Sequence, residues 1–362
     1  MRAAVMRGVG QPLTIESVQV SAPIRHEVVV DVVATGLCHS DLRFLEGSFP
    51  HHLPTILGHE AAGVVREVGS EVTEVAPGDH VVMSLSVFCG ECARCRAGDP
   101  HLCLGQDATR RSSEDPPRLS MNGEPVFQFL DLSSFAETML VHENALVAID
   151  RRVPLDRAAV LGCGVATGLG AVFNTAGVQP GESVAVIGCG GVGLSAIQGA
   201  RIAGAAPVIA IDPVAGKLEL AKSLGATDVV DARGEDTVGD VVRLTAGSGV
   251  DHVIEAVGNT GTIRQGFLMS RRGGTTTVVG LVPAGSEIEI PSDALFYERR
   301  LQGSVMGSND FKRDTPRYVD MYLDGRLDLD AMVTRKLSLD EINDGFDLMK
   351  QGASVRSIVV FD

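Results

Sequence analysis

Residues 183–204 read SVAVIGCGGVGLSAIQGARIAG: an apolar run, a break into glycine at 188, 190, 191 and 193, then an alanine-rich stretch that resumes as a helix. Gly188, Gly190 and Gly193 stand in the G-x-G-x-x-G spacing. The first glycine of that pattern makes a tight turn, the second admits a pyrophosphate to the backbone, and the third packs helix on strand. A helix opening at Gly191 offers free N–H groups and the positive end of its dipole to a phosphate, with Val192 in its first turn. Asp212 closes the next apolar run, VIAID, where a carboxylate accepts hydrogen bonds from ribose hydroxyls and repels a 2′-phosphate. The stretch therefore predicts a dinucleotide site that takes NAD rather than NADP. Lys217, five residues past Asp212, is either a solvated helix residue or a second ribose contact.

On both sides of this stretch, from about residue 165 to 306, apolar runs (SVAVIG, PVIAID, VDHVIEAVG, GGTTTVVGLV) alternate with helix-like segments such as GKLELAKSLGA. That rhythm predicts βαβ units on a parallel sheet, an α/β fold. Residues 1 to about 150 have another texture, with short β-branched runs between turn signals (HEVVVDVVATG, GHEAAGVVREVGSEV, PGDHVVMSLSV), and read as an all-β unit. The tail after Ser308 carries two helical pieces and a last strand, RSIVVF, that returns to the first unit. Residues 105–125 read as one long irregular loop.

At 362 residues the chain suggests two domains. No apolar run approaches the ~18 residues of a membrane span, and the opening stretch lacks the three-part pattern of a signal peptide, so a cytoplasmic protein is expected. Forty-six acidic against 31 basic residues leave a net charge of −15, with no Lys/Arg run longer than two. That field repels phosphate backbones and argues against a nucleic-acid partner.

Seven cysteines in a reducing compartment point to metal ligands before disulfides. Cys89, Cys92, Cys95 and Cys103, with gaps of three, three and eight, let tight turns wrap four thiolates around one ion, the closed arrangement of a structural zinc; an iron–sulfur cluster is the rival. Cys189 sits in the glycine turn and reads as a small turn residue. Cys38 in ATGLCHSDLRF, Cys163 in AVLGCGVATGLG and His59 in PTILGHEAAGVV supply the two-cysteine, one-histidine set of a catalytic zinc with an open fourth position.

GLCHSD, GHEAAGVV, the four-cysteine lobe, GCGVATG and GCGGVG, in this order, resemble the zinc-dependent medium-chain alcohol dehydrogenases over essentially the whole chain. The resemblance implies a Rossmann doubly wound sheet over residues 161–305, plus a mainly β GroES-like catalytic domain from 1–160 and 306–362, with the active site in a cleft. It implies NAD, two zinc ions per chain, a primary or aromatic alcohol as substrate with its aldehyde as product, and a homodimer. Position by position, it makes Cys38, His59 and Cys163 the catalytic zinc ligands, Asp41 and Glu60 their supporting carboxylates, and Ser40 the proton-relay hydroxyl. His39 and Arg356 would contact the pyrophosphate, Thr167 and Val192 the nicotinamide, and Phe49, Leu85, Phe129 and Leu130 the substrate. One departure stands out: the second relay member of many relatives is a histidine, and here that position is Arg43, which cannot shed a proton at neutral pH. The proton then leaves by water, by the cofactor ribose, or through His51 or His52. The main alternative substrate is an S-hydroxymethyl thiol whose carboxylate Arg110 and Arg111 would hold; a zinc-free quinone reductase-like relative would lack both cysteine sets.

Overall fold

The computed structural model describes residues 1–352 and 355–361. The chain forms two compact units, Met1–Cys163 with Asp310–Asp362, and Gly164–Asn309. The second division falls after 306 because Asn309 is buried and its amide donates to the carbonyls of Ala166 (2.7 Å) and Met306 (2.5 Å), tying residues 306–309 to the second unit.

In the first unit a sheet runs Leu146–Ala148, His80–Met83, Ala61–Val68, Glu27–Gly36, Ser357–Val360, Arg335–Leu337, with Thr138–His142 also on Glu27–Gly36. The Glu27–Gly36 strand, EVVVDVVATG, is buried at eight of ten positions, an environment that suits its β-branched residues. Ile358 pairs opposite Gly36, which brings the C-terminal strand into this sheet. Val28, Val30, Val65, Val81, Met83 and Met139 fill one apolar core; Leu37, Ile56, Phe129, Phe135 and Phe346 anchor a second.

The stretch expected as an irregular loop is held in two ways. Leu119–Met121 and Glu124–Pro125 pair as a hairpin around Asn122 and Gly123, both at positive φ (53° and 85°), the geometry an Asn-Gly turn favours. Farther back, buried Glu27 accepts from Arg111 Nε at 2.9 Å and from Arg118 Nε at 2.7 Å. Two arginines of this segment thus share one carboxylate of the central strand, a link that periodicity cannot reveal.

The second unit is a six-stranded, wholly parallel sheet in the order Asp228–Asp231, Val208–Asp212, Val184–Ile187, Val250–Glu255, Ser270–Val278, Arg300–Gly303. Its order reverses between Val184–Ile187 and Val250–Glu255, the mark of a doubly wound sheet. The helix Gly164–Gly170, GVATGLG, was not evident from its glycine-rich sequence. A Cβ at Gly168 would lie 2.2 Å from the Val192 carbonyl, so the close approach of two helices requires glycine there. Among the described residues no single helix is long and apolar enough to cross a membrane.

Candidate metal centres and cofactor crevice

The end of the Glu27–Gly36 strand delivers Cys38, which caps the short helix His39–Leu45. His59 and Glu60 precede the strand Ala61–Val68, and Cys163 follows the turn Ala159–Gly162. Their ligand atoms, Glu60 included, all lie within 4.8 Å of one another, and all four residues are buried. Asp41 organises the group: its Oδ1 accepts from His59 Nδ1 (2.9 Å) and Gly58 N (3.1 Å), its Oδ2 from Cys38 N (3.1 Å). With Nδ1 occupied, His59 presents Nε2, which among the described residues is buried without a hydrogen-bond partner, as is Glu60 Oε2. Orphaned atoms of this kind are what a cation would satisfy, and a carboxylate behind the histidine is the usual support of a zinc ligand.

The electrostatics agree. Burial opposes a proton on His59, yet the charges of Asp41 and Cys38 outweigh it and raise its pKa well above the ordinary value. The Cys38 thiol is lowered, chiefly by its bond to Cys163 and then by His59 and Arg356, while burial raises Asp41. Burial pushes Glu60 up to about 7 against the pull of Arg356. A site that attracts positive charge this strongly without an exposed face is built for a bound cation.

Glu60, read as an outer support, puts a carboxylate oxygen among the ligand atoms themselves. Arg356, expected at the pyrophosphate, is only 5% exposed; its Nη1 donates to Glu60 Oε1 (3.0 Å) and Leu37 O (3.1 Å), which pairs it with the carboxylate of the metal group. Ser40 is half-buried with its Oγ 3.7 Å from Cys38 Sγ, and His39 is exposed in the first turn of the helix. Phe129 is fully buried, its ring 5.9 Å from that of His59 and 4.7 Å from Phe44. Phe49 stacks on Phe44 at 5.2 Å; Leu130 and Leu85 pack, half-buried, against the two cores. Phe44 was missed in the sequence, although it stands four residues after Ser40 on the same helix, the spacing that puts two side chains on one face. His51 Nε2 is bonded to Thr55 Oγ1 (3.1 Å) and His52 stacks on Phe127, so both histidines are engaged away from Ser40. Arg110 is held by Asp131 and Asp107, and Arg111 by Glu27, ion pairs that engage both guanidinium groups. Two surface grooves of about 520 and 500 Å³ share Glu137 and Thr138 and contain none of these residues.

The four-cysteine lobe satisfies a sharper test. Its sulfurs stand 3.5 Å (Cys92–Cys95), 3.5 Å (Cys89–Cys103), 3.9 Å (Cys92–Cys103) and 4.0 Å (Cys89–Cys95) apart. A tetrahedron of ~2.3 Å zinc–sulfur bonds has edges of about 3.8 Å. A multi-iron cluster, with each thiolate on a different iron, would spread them wider. Backbone N–H groups of Cys89, Cys92, Leu104 and Gly105 point at the sulfurs, and such donors bring Cys92 down to about 6, whereas burial sends Cys95 up to about 12.

In the second unit the glycine turn follows the Val184–Ile187 strand: Gly188 has φ +93°, Gly190 caps the helix Gly191–Ala203, and a Cβ at Gly193 would lie 1.7 Å from the Gly188 carbonyl. Asp212, buried at the end of its strand, accepts from Cys189 N (2.8 Å) and Val214 N (2.9 Å), which fixes its carboxylate beside the turn. Lys217 is half-buried in the first turn of the helix Ala215–Leu224. The Thr167 hydroxyl donates to Met306 Sδ at 3.5 Å, and half-buried Val192 lies in the helix that closely approaches the next residue, Gly168.

Residues 24–151 match the alcohol dehydrogenase GroES-like domain and residues 191–322 the zinc-binding dehydrogenase domain. An S-(hydroxymethyl)glutathione dehydrogenase of Escherichia coli O1:K1 / APEC is 41% identical over 364 residues, covering 99% of both chains. Among solved structures, an alcohol dehydrogenase zinc-binding domain protein from Burkholderia ambifaria aligns with TM-score 0.95 at 37% identity (100% of this chain, 98% of that one). The benzyl alcohol dehydrogenase of Acinetobacter calcoaceticus aligns at 0.94 and 34% (100% and 99%). With a Rossmann and a GroES-like domain, a four-thiolate group fit for a structural zinc and a buried Cys–His–Glu group fit for a catalytic one, the chain belongs to the zinc-dependent medium-chain alcohol dehydrogenases and is an oxidoreductase that uses zinc and NAD.

Proposed function

We propose that this enzyme interconverts primary alcohols bearing an aromatic ring and their aldehydes. The observation that carries the substrate class is a chain of aromatic contacts running outward from the metal group, His59 to Phe129 to Phe44 to Phe49, with the last two rings half-buried. Ring-on-ring packing favours aryl over small alkyl groups. The benzyl alcohol dehydrogenase likeness supports the same reading. A second reading, an S-hydroxymethyl thiol as substrate, is favoured by the name of the 41% identical relative. It is weakened by the commitment of Arg110 and Arg111 to carboxylates.

In this reading the Met1–Cys163 and Asp310–Asp362 unit is catalytic and Gly164–Asn309 binds NAD. Cys38, His59 and Cys163 hold the metal, Asp41 orients His59, and Glu60 with Arg356 balances the local charge. When bound, zinc supplies the Lewis acidity that eases loss of the alcohol proton, and NAD accepts the hydride. Ser40 takes that proton and hands it to water or the cofactor ribose. His39 contacts the pyrophosphate, and Asp212 the ribose. The glycine turn seats the pyrophosphate, and Thr167 and Val192 flank the nicotinamide. Seven unpaired cysteines suit a cytoplasmic enzyme. The edge strand Arg300–Gly303, with Leu295, Phe296, Leu301 and Val305 exposed nearby, supports a homodimer.

The deciding assay follows NAD reduction by benzyl alcohol and by formaldehyde plus glutathione. We expect kcat/KM at least ~10-fold higher for benzyl alcohol, about 1.4 kcal/mol of transition-state preference. A preference of that size for the thiol adduct would overturn the aromatic-alcohol reading.

A further inference from the structure

The order of the parallel sheet reverses between Val184–Ile187 and Val250–Glu255, so the crevice outside the carboxyl ends of these two strands is where a doubly wound sheet receives its ligand. The glycine turn after Val184–Ile187 forms one wall. The other follows Val250–Glu255, and its last strand residue is a fully buried glutamate.

Glu255 gathers this wall. Its Oε1 accepts from Val257 N (3.0 Å), Gly258 N (2.9 Å) and Thr262 Oγ1 (2.8 Å), and among the described residues its Oε2 is buried without a side-chain or backbone donor in hydrogen-bond geometry. Its backbone carbonyl accepts from Val279 N (2.8 Å) and Gly280 N (3.0 Å), which joins the ends of two strands at the same residue. The turn so held is tight: Gly258 has φ +78°, and a Cβ there would lie 2.4 Å from the Leu281 carbonyl. Val257, 44% exposed, reaches across the crevice, where a Cβ at Gly188 would meet its Cγ2 at 2.7 Å. Burying a carboxylate costs several kcal/mol unless hydrogen bonds compensate, and a fold needs no such group merely to end a strand.

We propose that Glu255 is a positioning residue of the NAD site: its carboxylate fixes the 256–258 turn as the second wall of the crevice and sets how closely Val257 approaches the glycine turn. The assignment rests on NAD binding in this crevice. Because the three donors converge on one oxygen, an amide can stand in for the acid, whereas an alanine cannot.

NADH fluorescence titrations of the zinc-loaded enzyme test this with wild type, Glu255→Ala, Glu255→Gln and Thr262→Val. We expect NADH affinity ~10-fold or more weaker in Glu255→Ala, within about 3-fold of wild type in Glu255→Gln, and roughly 3-fold weaker in Thr262→Val, with zinc content retained. A Glu255→Ala enzyme of native thermal stability whose NADH affinity stays within about twofold would overturn the proposal, as would a Gln variant as weak as the Ala variant. If Glu255→Ala does not fold, unchanged affinity in Thr262→Val overturns it. A wild-type enzyme that fails to bind NADH would instead remove the cofactor reading on which the assignment stands.

Discussion

Asp41 shows how one buried side chain converts a set of residues into a centre. Its two oxygens serve His59, Gly58 and Cys38, so the orientation of the histidine and the position of the first cysteine depend on the same carboxylate. Asp41→Asn keeps the shape but allows the amide nitrogen to face Nδ1, so zinc affinity measured by chelator competition should fall about 10- to 100-fold. NADH affinity should be unchanged, since nothing of the glycine turn is touched. The relay has its own test. His51 is bonded to Thr55 and His52 is stacked on Phe127, so the double substitution His51→Gln, His52→Gln should leave the pH–rate profile of alcohol oxidation where it was. A displaced profile would return these histidines to the proton path. At this scale the sequence could identify ligand types, because thiolates and imidazoles bind zinc wherever they stand. It could not show that Arg356 and Glu60 pair, since they are 296 positions apart.

At the scale of elements, the four-cysteine lobe and the pinned 105–125 segment are local solutions to the same problem, holding a long connection without a core of its own. In the lobe a metal replaces apolar packing, so Cys92→Ser should lower Tm by roughly 10 °C or more while the zinc-loaded, folded fraction retains turnover. A variant as stable as wild type but inactive would reverse the roles of the two metal groups. His142, which ends the strand Thr138–His142, feels the charge of Arg118 from the pinned segment and has a pH signature. His142 is held down to about 4, first by burial and then by Arg118, His26 and Lys312, with Glu143 opposing; its Nδ1 accepts from Asn144 N at 3.1 Å, as a neutral ring must. The unfolded chain, with a pKa near 6.5, binds this proton more readily than the folded one. Stability should therefore fall as pH drops from about 6.5 towards 4. The loss assignable to His142 is roughly 1–3 kcal/mol after allowing for its partly open side, and the pH slope should be smaller in His142→Gln by denaturant titration. The Asn-Gly hairpin was legible in principle from two residues, but the clamp of Arg111 and Arg118 on Glu27 was not, because it spans 84 and 91 positions.

At the scale of the whole molecule, the proposed dimer is the feature most open to measurement. Phe296 is 82% exposed shortly before the edge strand Arg300–Gly303, which pairs on one side only among the described residues. Sedimentation should show a dimer for wild type and a shift to monomer for Phe296→Glu; a monomeric wild type at micromolar concentration would remove the homodimer. The sequence by itself pointed to the parallel sheet, the NAD-type glycine turn, two groups of candidate metal ligands and the return of the tail. Each rests on short-range spacing or on the chemistry of a residue type, which survive without knowledge of the fold. Only the tertiary structure decided that a Glu60 oxygen lies within 4.8 Å of the candidate ligand atoms of Cys38, His59 and Cys163, that Arg356 pairs with Glu60 while Arg110 and Arg111 pair with other carboxylates, that Phe129 is fully buried beside His59, and that Glu255 holds the turn that follows its strand. Those outcomes depend on burial and on partners distant in sequence, and the desolvation that makes a buried charge seek a particular partner exists only once the chain has folded around it.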